Sequence, residues 1–537
     1  MVKIPSLDDL SLDMKVGQVI MGGFPAPEAD ATTLAAVRDG SLGNIILFAY
    51  NCPSPTSVAA LTATLQAAAP APLLIAADQE GGAVTRLGPP ATVMPSAMAR
   101  GAADDLRLAE RAAAVMGAEM RAVGINVGLA PVADVNSNPF NPVIGPRSFG
   151  EDPYRVADFV AATVRGLQGR GIAACAKHFP GHGDTAVDSH FGLPRNERSM
   201  DELERVELVP FNAAIAANVH LVMSSHILFP ALDAERPSTL SHAILTDLLR
   251  GRLGFDGVVI TDSMEMAGIM QGRSTPDACV EAFAAGADIV CPSHHRADQA
   301  AAHALIVAAL RSGAIPLRRL DEAVGRILRL KTWLADAAPA LDASLASVGS
   351  PSHQAVAEEV AARSITLVRD AAGWVPLPEG IVGVIEFGET RLTPAEDRVR
   401  GGSALAGHLA HFRAVQPLSL PLTPDAGHVQ AALDVAQRSN IIVMGTRAAA
   451  LYPAQTALVR EVLALGRPTV IVALRAPYDL LAFPDAPAFV AAYGDVPPSL
   501  DAIVKVLVGE AAARGRLPVT LPGLYERGDG VMRTHRG

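Results

Sequence analysis

The sequence predicts an α/β protein in two parts: an N-terminal (β/α)8 TIM-like barrel, then a C-terminal three-layer α/β/α sandwich. Three observations predict this. Over the first ~330 residues a short apolar run, a polar loop and a helical stretch recur, with eight such runs in all. A stretch rich in Ala, Ser and Pro follows over 335–352 and reads as a linker. Beyond it, further apolar runs again alternate with helical stretches. Strands alternating with helices imply parallel pairing, and eight of them imply barrel closure. At 537 residues the chain is also too long for one core. The expected division is 1–334 for the barrel, 335–352 for the linker and 353–537 for the sandwich.

In order, the eight runs are GQVIMGG from Gly17, GNIILFA from Gly43, PLLIAAD from Pro72 and INVGLAP from Ile125, then IAACA from Ile172, HLVMSSH from His220, GVVITD from Gly257 and ADIVCP from Ala287. Helical stretches over 102–123, 156–170 and 200–217 lie between them. A barrel places its active site at the C-terminal ends of its strands, and the polar residues fall there. The third run ends in Asp78 and QEGG, and the fourth leads to Asp134 and a loop reaching Arg147. The fifth enters a histidine-rich loop, the sixth ends at His226 and the seventh at Asp262. The stretch 317–334 reads as an amphipathic helix with Leu320, Val324, Ile327 and Leu328 on one face. Strands of the second domain are expected at SITLVRD from Ser364, IVGVIEF from Ile381, NIIVMGT from Asn440, PTVIVAL from Pro468 and AFVAAY from Ala488, with helices over 426–438 and 454–465. No GxGxxG or P-loop pattern opens any of those helices, so no nucleotide cofactor is expected.

The net charge of −11 with no basic run argues against nucleic acid as a partner. The four cysteines form no CxxC pair, and Cys175 and Cys291 sit in apolar runs as expected buried thiols. The N-terminus carries no apolar signal core, and no stretch is long enough to span a membrane. A cytoplasmic protein without a membrane partner is the expectation.

The loop KHFPGHGDTAVDSH, from Lys177 to His190, holds three histidines, two aspartates and a lysine. A metal site is one reading, but Pro180 and Gly181 separate His178 from His182, so the two cannot share a helix face. No metal is expected. A polar loop with local hydrogen bonds is the second reading. Acid–base catalysis is the third. Asp188 and His190 flank Ser189, so an extended turn points both the same way, and a carboxylate beside an imidazole supports its charged form and fixes its tautomer. Asp262 with Glu265 three residues on resembles a helix capping box, while its place at a strand end favours catalysis. One carboxylate facing a proton shuttle is the minimum for glycoside cleavage by double displacement. Asp262 would attack the anomeric carbon, and His190 would protonate the leaving oxygen and then deprotonate water. Asp78 reads as a turn residue or as an acceptor of two sugar hydroxyls. Lys177, His178, Arg86 and Arg147 are donors able to hold the same ring.

The motifs KHFPGHGDTAVDSH, DQEGGAVTRL, NPVIGPRSFG and VVITDSMEM together resemble glycoside hydrolase family 3. The DSH within the first is similar to the family's β-N-acetylglucosaminidase branch, and ALRAPYDL and GRLPVTLPGLY extend the resemblance to that branch's two-domain members. The resemblance implies a retaining mechanism with Asp262 as nucleophile and Asp188–His190 as acid/base. It implies that Asp78, Arg86, Arg147, Lys177 and His178 bind a non-reducing N-acetylglucosamine, in muropeptides or chitin-derived sugars. Ala83 departs from the pattern, since many members carry arginine there. A phosphorylase on the same glycosides is the alternative, because a neutral histidine would not repel incoming phosphate. A broad β-glucosidase and a silent sugar-binding protein are the remaining ones.

Overall fold

The structure is a computed structural model and describes residues 4–337, 344–388, 392–397 and 405–531. Its first part is a closed barrel of eight parallel strands: β1 Ile20–Gly22, β2 Asn44–Leu47, β3 Leu74–Ala77, β4 Val127–Gly128, β5 Ala173–Phe179, β6 Leu221–Ser224, β7 Val258–Ser263 and β8 Ile289–Ser293. Each pairs with its neighbours in sequence, and β8 closes on β1. All eight coincide with the expected runs. The cause is burial on both faces, inward into the barrel core and outward under helices, which selects continuous apolar runs over alternating ones. Cys175 and Cys291 are buried within β5 and β8.

The β4 ladder is short, yet the chain keeps following β5 beyond it. The Cys175 N–H donates to Ala130 O at 2.9 Å and the Lys177 N–H to Pro131 O at 3.2 Å. This irregular continuation carries Asp134 up beside His178.

The helices differ from expectation at their ends. The stretch expected as one helix over 102–123 holds the end of α1 (Ala97–Ala103) and all of α2 (Leu106–Ala122). Between them Asp104 adopts a left-handed conformation at φ 49°, and Asp105 then caps α2 by accepting from the N–H groups of Arg107 and Leu108. The helix expected over 156–170 is α3, Pro153–Gln168. The one expected over 200–217 is two, α4 Met200–Arg205 and α5 Leu208–Ala216, broken at Val206 (φ −123°, ψ −74°). The break turns Glu207 inward against Arg198, with Nη1 to Oε1 at 2.7 Å. The amphipathic helix is α6, Leu317–Ala337, and it runs into the stretch expected as linker.

The second part is a six-stranded sheet of β9 Thr366–Asp370, β10 Val382–Phe387, β11 Val415–Leu420, β12 Ile441–Thr446, β13 Thr469–Ala473 and β14 Ala488–Ala491, in the order β9-β14-β13-β12-β10-β11. Among the described residues of this sheet, only β9, against β14, is antiparallel. Five of these strands were expected; β11 was not. It is the sheet edge, largely half-exposed, with Pro417 inside it, so it lacks both the apolar run and the uninterrupted donors of a central strand.

The two parts share packing. Met98, Ala99 and Ala102 of α1 lie in one core with Phe489 and Tyr493 of the sandwich. Ser96 Oγ donates to Tyr493 O at 2.6 Å, and Asn136 Nδ2 donates to Tyr478 Oη at 2.8 Å. Among the described residues no helix is long and apolar enough to cross a membrane.

Candidate active site

A cavity of about 300 Å³ opens at the C-terminal ends of the barrel strands. Of the residues expected at the site, Asp78, Arg86, Arg147, Lys177, His178, His190 and Asp262 line it. Asp188 sits one hydrogen bond away, on His190.

One side of the cavity is a charged cradle. β3 ends at Asp78, and a two-stranded hairpin (Gln79–Gly81 and Val84–Thr85) follows at once and presents Glu80 and Arg86. Asp78 accepts from Lys177 Nζ at 2.7 Å and from Arg86 Nη2 at 2.8 Å. Glu80 pairs with the Lys177 ammonium, Oε1 to Nζ at 2.6 Å, and takes the Arg147 guanidinium in a fork, Nη2 at 2.8 Å and Nε at 2.9 Å. Burial alone would raise both carboxyls, but the facing cations outweigh it: Asp78 falls well below its ordinary value, and Glu80 falls to about 2. Burial likewise opposes the Lys177 charge, and Asp78 and Glu80 overcome it and hold its pKa above the usual lysine value. The cradle is therefore ionised throughout. Its geometry leaves Lys177, Arg86 and Arg147 fixed rather than free to search. Glu80 was not anticipated: only Asp78 was singled out in that stretch, and only the fold shows the Glu80 carboxylate between two cations 67 and 97 positions away.

Asp134 was seen only as a polar strand end. Its Oδ2 accepts from His178 Nδ1 at 2.7 Å, and its Oδ1 accepts from the backbone N–H of His182 at 2.7 Å. It thereby orients an imidazole that faces the cavity and pins the start of the loop above it. Gly183 is required next: a Cβ there would stand 1.6 Å from Val135 O.

The loop then reaches Asp188 and His190. His190 Nδ1 lies 2.6 Å from Asp188 Oδ1, which also accepts the His190 backbone N–H at 2.9 Å. Burial pushes the Asp188 carboxyl up, but these bonds from His190 bring it below its ordinary value. An ionised Asp188 makes Nδ1 the donor and leaves Nε2 for proton transfer.

Asp262 lies inside β7, near its end, and is not a helix cap. Glu265 instead accepts from His294, at Nδ1 and at the backbone N–H, both at 2.8 Å. The Asp262 Oδ1 accepts the Ser263 N–H at 2.7 Å, and the side chain joins no ion pair among the described residues. Burial would raise its pKa, but His178, His226 and His190 together hold it below the ordinary aspartate value. His226, whose own pKa burial lowers while Asp262 opposes that shift, donates Nε2–H to Ser263 O at 2.9 Å and so steadies the residue after Asp262. Among the described residues no His, Cys, Asp and Glu group is arranged to hold a metal ion.

The sandwich contributes to the rim. Pro394 and Ala395 line the cavity, and Asp397 accepts from Arg86 Nη1 at 2.7 Å and from the Thr85 N–H at 2.7 Å. Its own N–H donates to Ala83 O at 2.9 Å. The segment 392–397 holds the adjacent acids Glu396 and Asp397, but nothing comparable to the loop from Lys177 to His190 marked it in the sequence.

Residues 11–330 match the model of the glycosyl hydrolase family 3 N terminal domain, and residues 334–531 that of the glycosyl hydrolase family 3 C-terminal domain. The chain is 35% identical over 547 residues to a beta-N-acetylglucosaminidase/beta-glucosidase of Cellulomonas fimi, covering 96% of this chain and 94% of that one. It is 34% identical over 535 residues to beta-hexosaminidase A of Pseudoalteromonas piscicida, covering 89% of each. The structure is similar to that of a glycoside hydrolase family 3 beta-N-acetylglucosaminidase from Paenibacillus sp. str. FPU-7, with a TM-score of 0.91 and 38% identity over 95% of this chain and 99% of that one.

Proposed function

The chain belongs to glycoside hydrolase family 3 and is a glycoside hydrolase, and on that premise we propose that it is a retaining exo-β-N-acetylglucosaminidase acting by double displacement. The observation that carries the reading is Asp262: an ionised carboxylate, in no ion pair among the described residues, in one cavity with a histidine whose other nitrogen is held by Asp188. Asp262 attacks the anomeric carbon. His190 Nε2–H gives its proton to the leaving oxygen, and the ionised Asp188 stabilises the imidazolium before that transfer. The now neutral imidazole then takes a proton from water, which displaces Asp262 from the sugar. Asp78, Arg86, Arg147, Lys177 and His178 bind the terminal N-acetylglucosamine, with Asp78 accepting from two of its hydroxyls.

The aglycone is a muropeptide or a chitooligosaccharide. Binding energy from the 2-acetamido group supports closure of the loop that carries His190. The expected kcat/KM for an aryl N-acetylglucosaminide exceeds that for the glucoside by ~10²-fold or more, since small positioning errors cost that much. The test compares the two glycosides and follows the first-formed product by NMR. A β-anomer appearing first supports double displacement. An α-anomer appearing first, or equal kcat/KM for the two glycosides, counts against the mechanism or the specificity respectively. In phosphate buffer, free sugar is expected; sugar 1-phosphate would make the enzyme a phosphorylase.

A further inference from the structure

The reading of Asp188–His190 as acid/base leaves open what holds that pair in place. Val187 is 45% exposed and Phe191 73% exposed, so apolar burial does not anchor the segment. Polar ties do, and they converge on Ser189, between the two members of the pair.

We propose that His182, acting through Ser189, is a positioning residue that sets the place of His190 relative to Asp262. His182 is 3% exposed, and its ring bridges Thr185 Oγ1, 2.7 Å from Nδ1, and Ser189 Oγ, 3.0 Å from Nε2. The tautomer follows from counting protons. Thr185 donates its single hydroxyl proton to His182 O at 3.0 Å, so its oxygen accepts Nδ1–H. The bare Nε2 then accepts from the Ser189 hydroxyl. On the other side, the Ser189 carbonyl accepts the Gly268 N–H at 3.0 Å. Gly268 lies in the short helix Ala267–Met270 that follows Asp262 and β7. Ser189 thus ties the loop after β5 to the loop after β7, and His182 is its side-chain half. The anchor is itself fixed, because Asp134 holds the His182 N–H and the cavity-facing His178 with its two oxygens.

Burial lowers the His182 pKa to about 4, with His178, edge-on at 5.8 Å, and Arg147 acting the same way and Asp134 opposing them. A neutral ring keeps Nε2 free to accept over the working range.

The test is kcat/KM, which reports the glycosylation step, over a series of aryl N-acetylglucosaminides of graded leaving-group pKa. Protonation by His190 matters for poor leaving groups and little for dinitrophenolate, so a displaced acid steepens the dependence. For His182→Leu and for Ser189→Ala, the loss is expected to be about tenfold or more on the poorest leaving group and under about threefold on the best. His182→Gln, whose amide can reach Ser189, is expected to recover much of the loss; His182→Asn is too short to do so. Equal losses across the series in both variants would mean general disruption and overturn the proposal, as would wild-type behaviour of Ser189→Ala. His190→Ala, run alongside, separates the premises. If it shows no steepening, the acid/base reading fails; if it steepens while Ser189→Ala does not, only the role of His182 fails.

Discussion

Asp262 and the Asp188–His190 pair make the sharpest demands at the scale of single residues. Asp262→Ala is expected to fold, because the side chain makes only the Ser263 N–H bond and joins no ion pair among the described residues. With an activated aryl glycoside, turnover should drop by several orders of magnitude, roughly the loss of a nucleophile. Circular dichroism matched to the wild type, together with near wild-type turnover, would remove Asp262 from that role. The Asp188–His190 bond at 2.6 Å implies that the two act as one unit. Asp188→Ala and His190→Ala should each cost heavily, and the double variant little more than the worse single one. Losses that multiply would show two independent contributions instead.

The hairpin after β3 sets the scale of elements, since Glu80 is its buried charge. Removing one partner of a buried pair costs about 3–5 kcal/mol, because the remaining charge stays desolvated. Glu80→Gln leaves Lys177 and Arg147 with less compensation and is expected to lower stability at neutral pH by about that order. The pH dependence has a definite sign. The folded-state pKa of Glu80 is depressed, so its contribution is fully present above the unfolded value of about 4.3 and is lost as pH falls through about 2. Urea midpoints for wild type and variant should therefore differ most at neutral pH and converge towards pH 2. A gap that stays constant with pH would show that Glu80 is not the titrating group.

At the scale of the whole molecule, the sandwich reaches into the barrel's site. Arg86 is held between Asp78 of the barrel and Asp397 of the sandwich. Asp397→Asn keeps an oxygen for the Thr85 N–H but removes the charge facing Arg86. The expected result is a KM raised roughly tenfold with kcat nearly unchanged, the signature of lost uniform binding. A fall in kcat with KM unchanged would give Asp397 a part in the chemistry. No such part is expected, because the candidate acid, base and nucleophile all lie in the barrel, on β7 and the loop after β5. The shared core of α1 and the sandwich makes the two parts one packing unit at this junction.

The local pattern of the chain determined the eight barrel strands, since burial on both faces leaves contiguous apolar runs that need no partner to be recognised. It also brought out the loop from Lys177 to His190, whose density of titratable groups is a property of adjacent residues. It did not reveal β11, whose edge position permits polar side chains and a proline, nor the break at Val206, where the inward turn of Glu207 towards Arg198 overrides helical continuity. Tertiary structure alone decided the rest. Glu80 became the base of the cradle, Asp134 the holder of two loop elements, and Asp397 the second partner of Arg86, through contacts across tens to hundreds of residues. A carboxylate at a turn looks the same in sequence whether it faces water or two buried cations. Only the fold supplies the second charge, and hence the pKa, the rigidity and the work the residue does.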